Sequence, residues 1–493
     1  MRRTLLLLLL LLTAPLAAAQ TLTTAVGSNP PTLDPQKTFN GFSFGVTTHI
    51  YEPLFRVTTE GEIEGLLAEG WEYVSPDRLR VTLHEGVRFT DGTPLDAAAV
   101  KASLERLLDP ATAAPGRFVV SAITSVEVVD DRTVDIVTGE PFAPLLAHLA
   151  HPVAAIVPVS YGDSLAREPI GSGPFVFESW TQSDTVVLVA NQDYWGGAPA
   201  IERVVFRIVP EVSTQIVELR SGGVDVLFNI PADPFLQLQG VSGIETNAFL
   251  GWGSVHVGFN TANPKLGDVR VRQAIAHAID KQLIAEELLG GLAEVAVAPI
   301  PPTVRFAASD LQEPYPYDVD RAKELLAQAG AQGLKLTLDV YQNPDLENVA
   351  QVLQAMLADA GIELEVRVQE YAAYSETVQT DAVELYATSW GTVTLDADYT
   401  LFAFFHSSEI PVNNVSRYAV PEIDDALEGA RATPDDAQRE QLYRMVQERV
   451  LADVPMVTLY YPLSTSAKSP ALQGEVVRFS WINLDLRDAT LQE

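Results

Sequence analysis

Apolar positions along this chain fall into three successive regimes. In the first, Leu79, Val81 and Leu83 alternate with polar residues, the period of a half-buried strand. A turn at Glu85-Gly86 follows, and Val87 and Phe89 resume the alternation before Asp91-Gly92-Thr93-Pro94 turns again. Asp96 is placed to cap a helix whose Val100, Leu104, Leu107 and Leu108 recur at helical spacing. Residues 123–129 and 133–137 flank Asp130-Asp131-Arg132 as a hairpin, so this part predicts α+β structure with antiparallel strands.

The second regime starts at Gly171-Ser172-Gly173-Pro174-Phe175, read as a tight turn because it lacks the Lys and Ser/Thr of a P-loop and precedes a strand. Strands near 186–189 and 204–209 come next, then a helix over 213–221 stopped by Gly222-Gly223 and a strand over 224–228. From about residue 260, Val271, Ala274, Ile275, Ala278, Ile279 and Leu283 share one helical face that Gly290-Gly291 terminates. Leu334, Leu336, Leu338 and Val340 alternate as a strand. Asn343-Pro344 then starts a helix with Leu346, Val349, Leu353, Met356, Leu357 and Ala360 on one face, and Ile362, Leu364, Val366 and Val368 form the next strand. Strand, helix and strand in that order require a right-handed crossover and parallel pairing. A further strand over 384–389 ends at Trp390-Gly391. Open parallel sheets bind ligands beyond the carboxyl ends of their strands, so the loop 390–398 is a candidate site. The longest irregular stretch, 298–317, holds five prolines and two tyrosines, a length that usually serves a function or covers something.

Composition narrows the chemistry. The 493 residues carry 32 Lys+Arg against 65 Asp+Glu, a net charge of −33, and no cysteine. Disulfides, thiolate catalysis, iron–sulfur clusters and cysteine-ligated zinc are therefore excluded. So acidic a chain is repelled by nucleic-acid phosphates and anionic lipid, and the charge favours a soluble monomer. Met1, Arg2 and Arg3 precede a leucine run from Leu5 to Leu12 that ends in Ala17-x-Ala19, the pattern of a secretory signal peptide over residues 1–19. A lipid anchor would need cysteine, so the expectation is a periplasmic protein free of the membrane. No H-E-x-x-H or P-loop motif occurs, and no catalytic residue, cofactor or metal is predicted. His148 and His151, at i and i+3, read as a partly exposed pair at a helix end.

The residues also resemble a known family, the extracellular solute-binding proteins of family 5, receptors of dipeptide, oligopeptide and nickel ABC importers. The resemblance is carried by Thr32-Leu33-Asp34-Pro35, Tyr51-Glu52-Pro53-Leu54, Gly61-Glu62-Ile63, Leu67-Ala68-Glu69-Gly70-Trp71 and Val87-Arg88-Phe89-Thr90-Asp91-Gly92-Thr93-Pro94-Leu95. It continues through Gly171-Ser172-Gly173-Pro174-Phe175, Gly258-Phe259-Asn260, Val269-Arg270-Val271-Arg272-Gln273-Ala274-Ile275, Ile279-Asp280-Lys281 and residues 318–330.

That resemblance implies an α/β, two-lobed periplasmic-binding-protein fold of type II-like, cluster C character, with an extra α+β subdomain and a two-strand hinge. The implied divisions are 1–19 signal peptide; 20–52, 169–250 and 461–493 first-lobe core; 53–168 appended subdomain; and 251–460 second lobe. The hinge is expected near 251–258 and 459–466. The implied partners are a short-peptide or other small-molecule ligand and the permease subunits of an importer. Peptide receptors of this family resemble one another in an aspartate three residues after the site tryptophan, whereas here that position is Val393. Thr394-Leu395-Asp396-Ala397-Asp398-Tyr399, followed by Leu401 and Phe405-His406-Ser407, is instead similar to the glutathione-binding branch. Asp396 is read either as the replacement ammonium contact or as a turn or helix cap. Phe39, Trp252 and Trp390 are cleft walls or core packing, and Arg305 meets a ligand carboxylate or is solvated. Thr32, Asn40, Tyr371, Gly391 and Thr392 complete the expected ligand-binding set. The competing readings are a secreted two-lobed hydrolase and a receptor of the same fold for a nickel chelate, oligosaccharide or opine.

Overall fold

The computed structural model describes residues 20–58, 61–474 and 485–492; the expected signal peptide lies outside the described residues. Its backbone is a twelve-stranded mixed sheet with two smaller sheets and a four-stranded antiparallel sheet attached. The path through the large sheet explains how one chain makes two lobes. On one side, Lys335–Tyr341 pairs in parallel with both Glu363–Gln369 and Leu385–Gly391. On the other, Thr21–Val26 pairs in parallel with Arg203–Ile208, which continues antiparallel to Thr185–Ala190 and Phe175–Thr181.

A single 13-residue strand, Met456–Lys468, joins the two sides. Its first half pairs antiparallel with Gly253–Phe259 and its second half with Glu245–Leu250. The only interruption in the partner chain is Gly251-Trp252, so both crossings lie side by side, as the two-strand hinge expected from sequence requires. Separate hydrophobic cores flank the crossing. Val257, Phe259, Leu338, Leu353 and Leu385 belong to one, and Leu22, Phe175, Leu188 and Phe206 to another. Each half thus carries its own buried apolar contacts, the condition for two bodies that move about a narrow connection.

The local predictions are realised where periodicity is strongest. The helix Pro344–Asp359 starts at Asn343, whose side chain accepts from the backbone N–H of Asp345 and Leu346 at 3.1 Å each, and its buried face is the predicted one. Leu336 registers with Leu364 and Val340 with Val368 in the parallel pair. The hairpin forms as Ile123–Val128 and Thr133–Thr138, within the four-stranded sheet that packs on the helix Ala97–Leu108. The apolar face expected to run unbroken from Val271 to Leu283 does not. The helix Val269–His277 ends, and Asp280 leaves helical geometry to cap a new turn by accepting from the N–H of Leu283. A strong capping residue inside an apolar pattern won over the pattern.

Candidate ligand-binding site

The loop after Leu385–Gly391 is held by a dense set of hydrogen bonds. A Cβ at Gly391 would lie 1.9 Å from the ring of Trp252, so this position needs glycine to let the indole pack flat on the backbone. Trp252 also accepts from the N–H of Thr392 at 3.0 Å through its carbonyl. The Thr392 and Thr400 hydroxyls are 2.7 Å apart, and the Trp390 indole N–H donates to Thr400 at 2.9 Å. Leu395 takes a left-handed φ of 58° that turns the chain into the helix Ala397–Phe405.

Asp396 caps that helix. Its Oδ1 accepts from the Asp398 N–H at 3.0 Å and from Arg439 Nη2 at 2.8 Å, and the residue is 1% exposed. Oδ1 is thus spent on the cap and on Arg439, the capping alternative, while Oδ2 is buried without a hydrogen-bond partner among the described residues. Arg305 is partly exposed, and its side chain is held at the surface of the lobe. Its guanidinium pairs with Asp436, while its backbone clamps the loop from both sides, donating to Leu395 and accepting from Ala397. Asp398 pairs with Arg431 through two bonds of 2.8 and 3.0 Å. The result is a rigid loop that presents Val393, Thr394 and Leu395 to the first lobe.

On the facing side, Thr32 accepts from the Asp34 N–H at 3.1 Å, and Asn40 caps the helix Gly41–Thr47 by accepting from Phe42 and Ser43. Both act on their own backbone. Phe39 stacks on His151 with the rings 5.2 Å apart and 5° from parallel. From Phe39 an aromatic series crosses the cleft: Phe118 at 5.3 Å, then Tyr399 at 6.2 Å, then Trp390 at 5.6 Å. The lobes also touch at the rim, where the Ala143 N–H donates to the Arg431 carbonyl at 2.7 Å.

Between Val393–Leu395 and the first lobe lies a cavity of about 160 Å³ whose other walls include Thr47, His49, Glu52 and His151. The hydroxyls of Thr47 and Thr394 and the Nε2 atoms of His49 and His151 are buried there without a hydrogen-bond partner among the described residues. Such groups cost roughly 1–3 kcal/mol each unless something polar meets them. His151 Nδ1 accepts from the Val153 N–H at 3.1 Å, which assigns the ring proton to Nε2 and makes that atom a donor. Burial lowers His151 to about 3, helped by His148, and lowers His49 to about 4 against the opposing pull of Asp485. Burial raises the Glu52 carboxyl, opposed by donors from Trp195, Tyr194 and Ser172. Both histidines are therefore neutral at pH 7, and the pocket offers hydrogen bonds without a full charge at them. His148 and His151 are buried, not partly exposed as their spacing suggested, because the rings of Phe39 and Phe44 close over His151 and Phe142 over His148.

A second, larger cavity of about 570 Å³ lies beside the crossing strands, with Trp252, Asn229, Asn343 and Ser389 in its walls. Tyr371 belongs to neither; it is 63% exposed and sets its ring edge-on to Tyr341. Thr47, His49 and Asn229 were not singled out from sequence, and His151 and Asn343 were read only as one of a histidine pair and as a helix start. A signal existed for Asn229 and Asn343: each follows the carboxyl end of a strand of the large sheet, the rule applied only to the loop after Trp390.

Two lobes on a two-strand hinge, with hydrogen-bonding groups of both turned into a shared cavity, define a solute-binding receptor. Residues 62–411 match the bacterial extracellular solute-binding proteins, family 5 Middle, and the chain belongs to that family. It is 31% identical over 495 residues to the glutathione-binding protein GsiB of Escherichia coli (strain K12), covering 96% of this chain and 95% of that one. Among solved structures it is similar to HbpA2 from Haemophilus parasuis, with a TM-score of 0.88 at 27% identity over 96% of this chain and 100% of that one. It is similar also to the periplasmic binding protein DppA from Helicobacter pylori in complex with peptide STSA, with a TM-score of 0.79 at 30% identity over 96% and 98%. The last of these is described as ABC transporter-associated, and no helix among the described residues is long and apolar enough to cross a membrane.

Proposed function

We propose that the protein captures a short peptide or glutathione-like small solute between its lobes and delivers it to the membrane permease of an ABC importer. One observation carries this reading: residues of both lobes that hold buried, unpartnered polar atoms line a single cavity. Thr394 stands on the second lobe, and Thr47, His49 and His151 stand on the first. A solute reaches all four only when the lobes are together. Its binding therefore favours the shut form by the difference in affinity between the two forms, and a solute that held both equally would shift nothing. The neutral histidines hold their part of the solute by hydrogen bonds and not by charge, and Glu52, Arg56, Asp485 and Arg487 stand in the same lining. The relatives named for glutathione and the structure with a bound peptide support a peptide-like solute.

The division into a first-lobe core of 20–52, 169–250 and 461–493, an appended subdomain of 53–168 and a second lobe of 251–460 fits the placement of the crossing strands. Removal of residues 1–19 on export would leave the receptor in the periplasm as a monomer without a lipid anchor. In this reading Trp252 is a wall of the larger cavity, Phe39 and Trp390 pack beside the cleft, Thr32, Asn40, Gly391, Thr392, Arg305 and Asp396 hold the surrounding loops, and Tyr371 stands outside.

The test is mass spectrometry of whatever co-purifies with gently prepared protein, followed by thermal unfolding with that solute. Stabilisation should reach about 2.7 kcal/mol at a hundredfold excess over Kd. Scattering profiles that stay identical with and without the solute would remove the closure mechanism.

A further inference from the structure

We propose that the cavity beside the crossing strands is a second solute subsite, and that Asp345 makes it selective for a solute carrying an ammonium or guanidinium group on an apolar stem. The proposal rests on the receptor reading above. Both lobes contribute to this cavity: Asn229 and Pro231 from one side of the hinge, and Trp252, Asn343 and Ser389 from the other. Of its lining residues, Asp345 alone is charged; there is no Lys, Arg or His among them.

Asp345 also differs from the other aspartates of the second lobe near the cleft. Asp339 pairs with Arg367, Asp396 with Arg439, Asp398 with Arg431 and Asp436 with Arg305. Asp345 sits exposed in the first turn of Pro344–Asp359, and its carboxylate makes no ion pair or hydrogen bond among the described residues. An unmatched carboxylate at the wall of a pocket shared by two closing lobes gains most from a cation, because closure removes water and strengthens a charge-assisted bond. The walls suit the stem of such a group. Trp252, Tyr460 and Leu346 are apolar surface, and an aromatic ring attracts a cation near its face. A free carboxylate has the opposite fate here, since no cation in the lining meets it and Asp345 repels it. The subsite thereby separates this receptor from one for an anionic tripeptide, and it supplies a negative charge on the second lobe at a place other than Val393.

The experiment uses isothermal titration of the mature chain with three probes: Nα-acetyl-lysinamide, its Nε-acetylated counterpart, and glutathione. Wild-type protein should bind the cationic probe about tenfold or more tightly than the acetylated one, the size expected of a charge-assisted bond. Asp345→Asn should bring that ratio to about one and leave the melting temperature of the free protein unchanged, since the side chain is exposed. Equal binding of the first two probes, a ratio untouched by Asp345→Asn, or glutathione bound as tightly as the cationic probe overturns the assignment. An anionic solute recovered from the gently prepared protein overturns it too, while leaving the receptor reading in place. If no probe binds and no solute is recovered, both fall.

Discussion

The two faces of the cleft meet their hydrogen-bonding needs in opposite ways. On the second lobe, the loop from Trp390 to Asp398 is closed upon itself: Thr392 with Thr400, Asp396 with Arg439, Asp398 with Arg431, Leu395 with the backbone of Arg305. On the first lobe, Thr47, His49 and His151 are buried with a donor or acceptor unspent. A satisfied network holds its geometry, and an unsatisfied one holds a reserve of free energy that a partner releases. The difference assigns the roles. The second lobe is a lid held by its own bonds, with the Thr394 hydroxyl and Asp396 Oδ2 left unspent, facing a first-lobe floor where Thr47, His49 and His151 each keep one unspent atom.

The sharpest way to break that comparison is to open the lid's own network. Asp396→Ala leaves Arg439, 2% exposed, as an uncompensated buried cation, and should cost about 3–5 kcal/mol in urea or thermal unfolding. A loss below 1 kcal/mol would mean that the pair does not hold the lid. Gly391→Ala comes next. The added methyl meets the Trp252 ring at 1.9 Å, so the indole must move or the strand must shift. Overpacking of this kind costs about 1–3 kcal/mol, and the displaced ring should also change binding in the cavity by the hinge while sparing Thr394. Equal loss of all ligand response would show that the two cavities are one.

How much of this was legible beforehand depended on the reach of each cause along the chain. The parallel strand-helix-strand unit from Lys335 to Gln369 is specified by its own period and by the Asn343 cap, both local signals, and it folds as read. The cap at Asp396 is local too, but its partner Arg439 is 43 residues away, so sequence alone could not decide between a cap and a ligand contact. The histidines show the same limit. His148 and His151 read as partly exposed from their spacing, because what buries them comes from elsewhere in the chain, including Phe39 and Phe44. The hinge position was readable as Gly251-Trp252 and the strand after it. The fit of Trp252 on Gly391 was not, because it joins strands that only the fold makes neighbours. No measure of spacing finds an orphaned donor, since that is a property of everything that fails to surround it.

Acid should reveal the floor. A histidine in the unfolded chain titrates near 6.5, whereas folding lowers His151 to about 3 and His49 to about 4. Between these values the unfolded chain binds protons that the folded chain refuses. Their contribution to stability is therefore complete above pH 6.5 and is lost as pH falls towards 4, at about 1.4 kcal/mol per pH unit for each histidine. His151→Asn keeps an acceptor for the Val153 N–H but removes both the titration and the Nε2 donor. Its stability should fall less steeply over that window, by about the one-histidine slope, and its ligand-induced rise in melting temperature should shrink. An unchanged slope would place a protonated His151 in the folded state and take it out of the floor.

The smallest effect belongs to Tyr371, and it sharpens the comparison by marking where the cleft ends. The ring is 63% exposed and touches Tyr341 and Tyr374 without lining either cavity. Contact made by a largely exposed ring contributes little, so Tyr371→Ala should change unfolding free energy by about 0.5 kcal/mol or less. The ligand-induced melting shift should match wild type. Tyr341 offers the one route by which the change could travel, since its hydroxyl meets Ser389 at 2.7 Å on the wall of the larger cavity. If Tyr371→Ala weakened the cationic probe but not a solute held only by Thr394 and His151, the effect would be passing through Tyr341, and the boundary of the larger cavity would have to be drawn one aromatic ring further out.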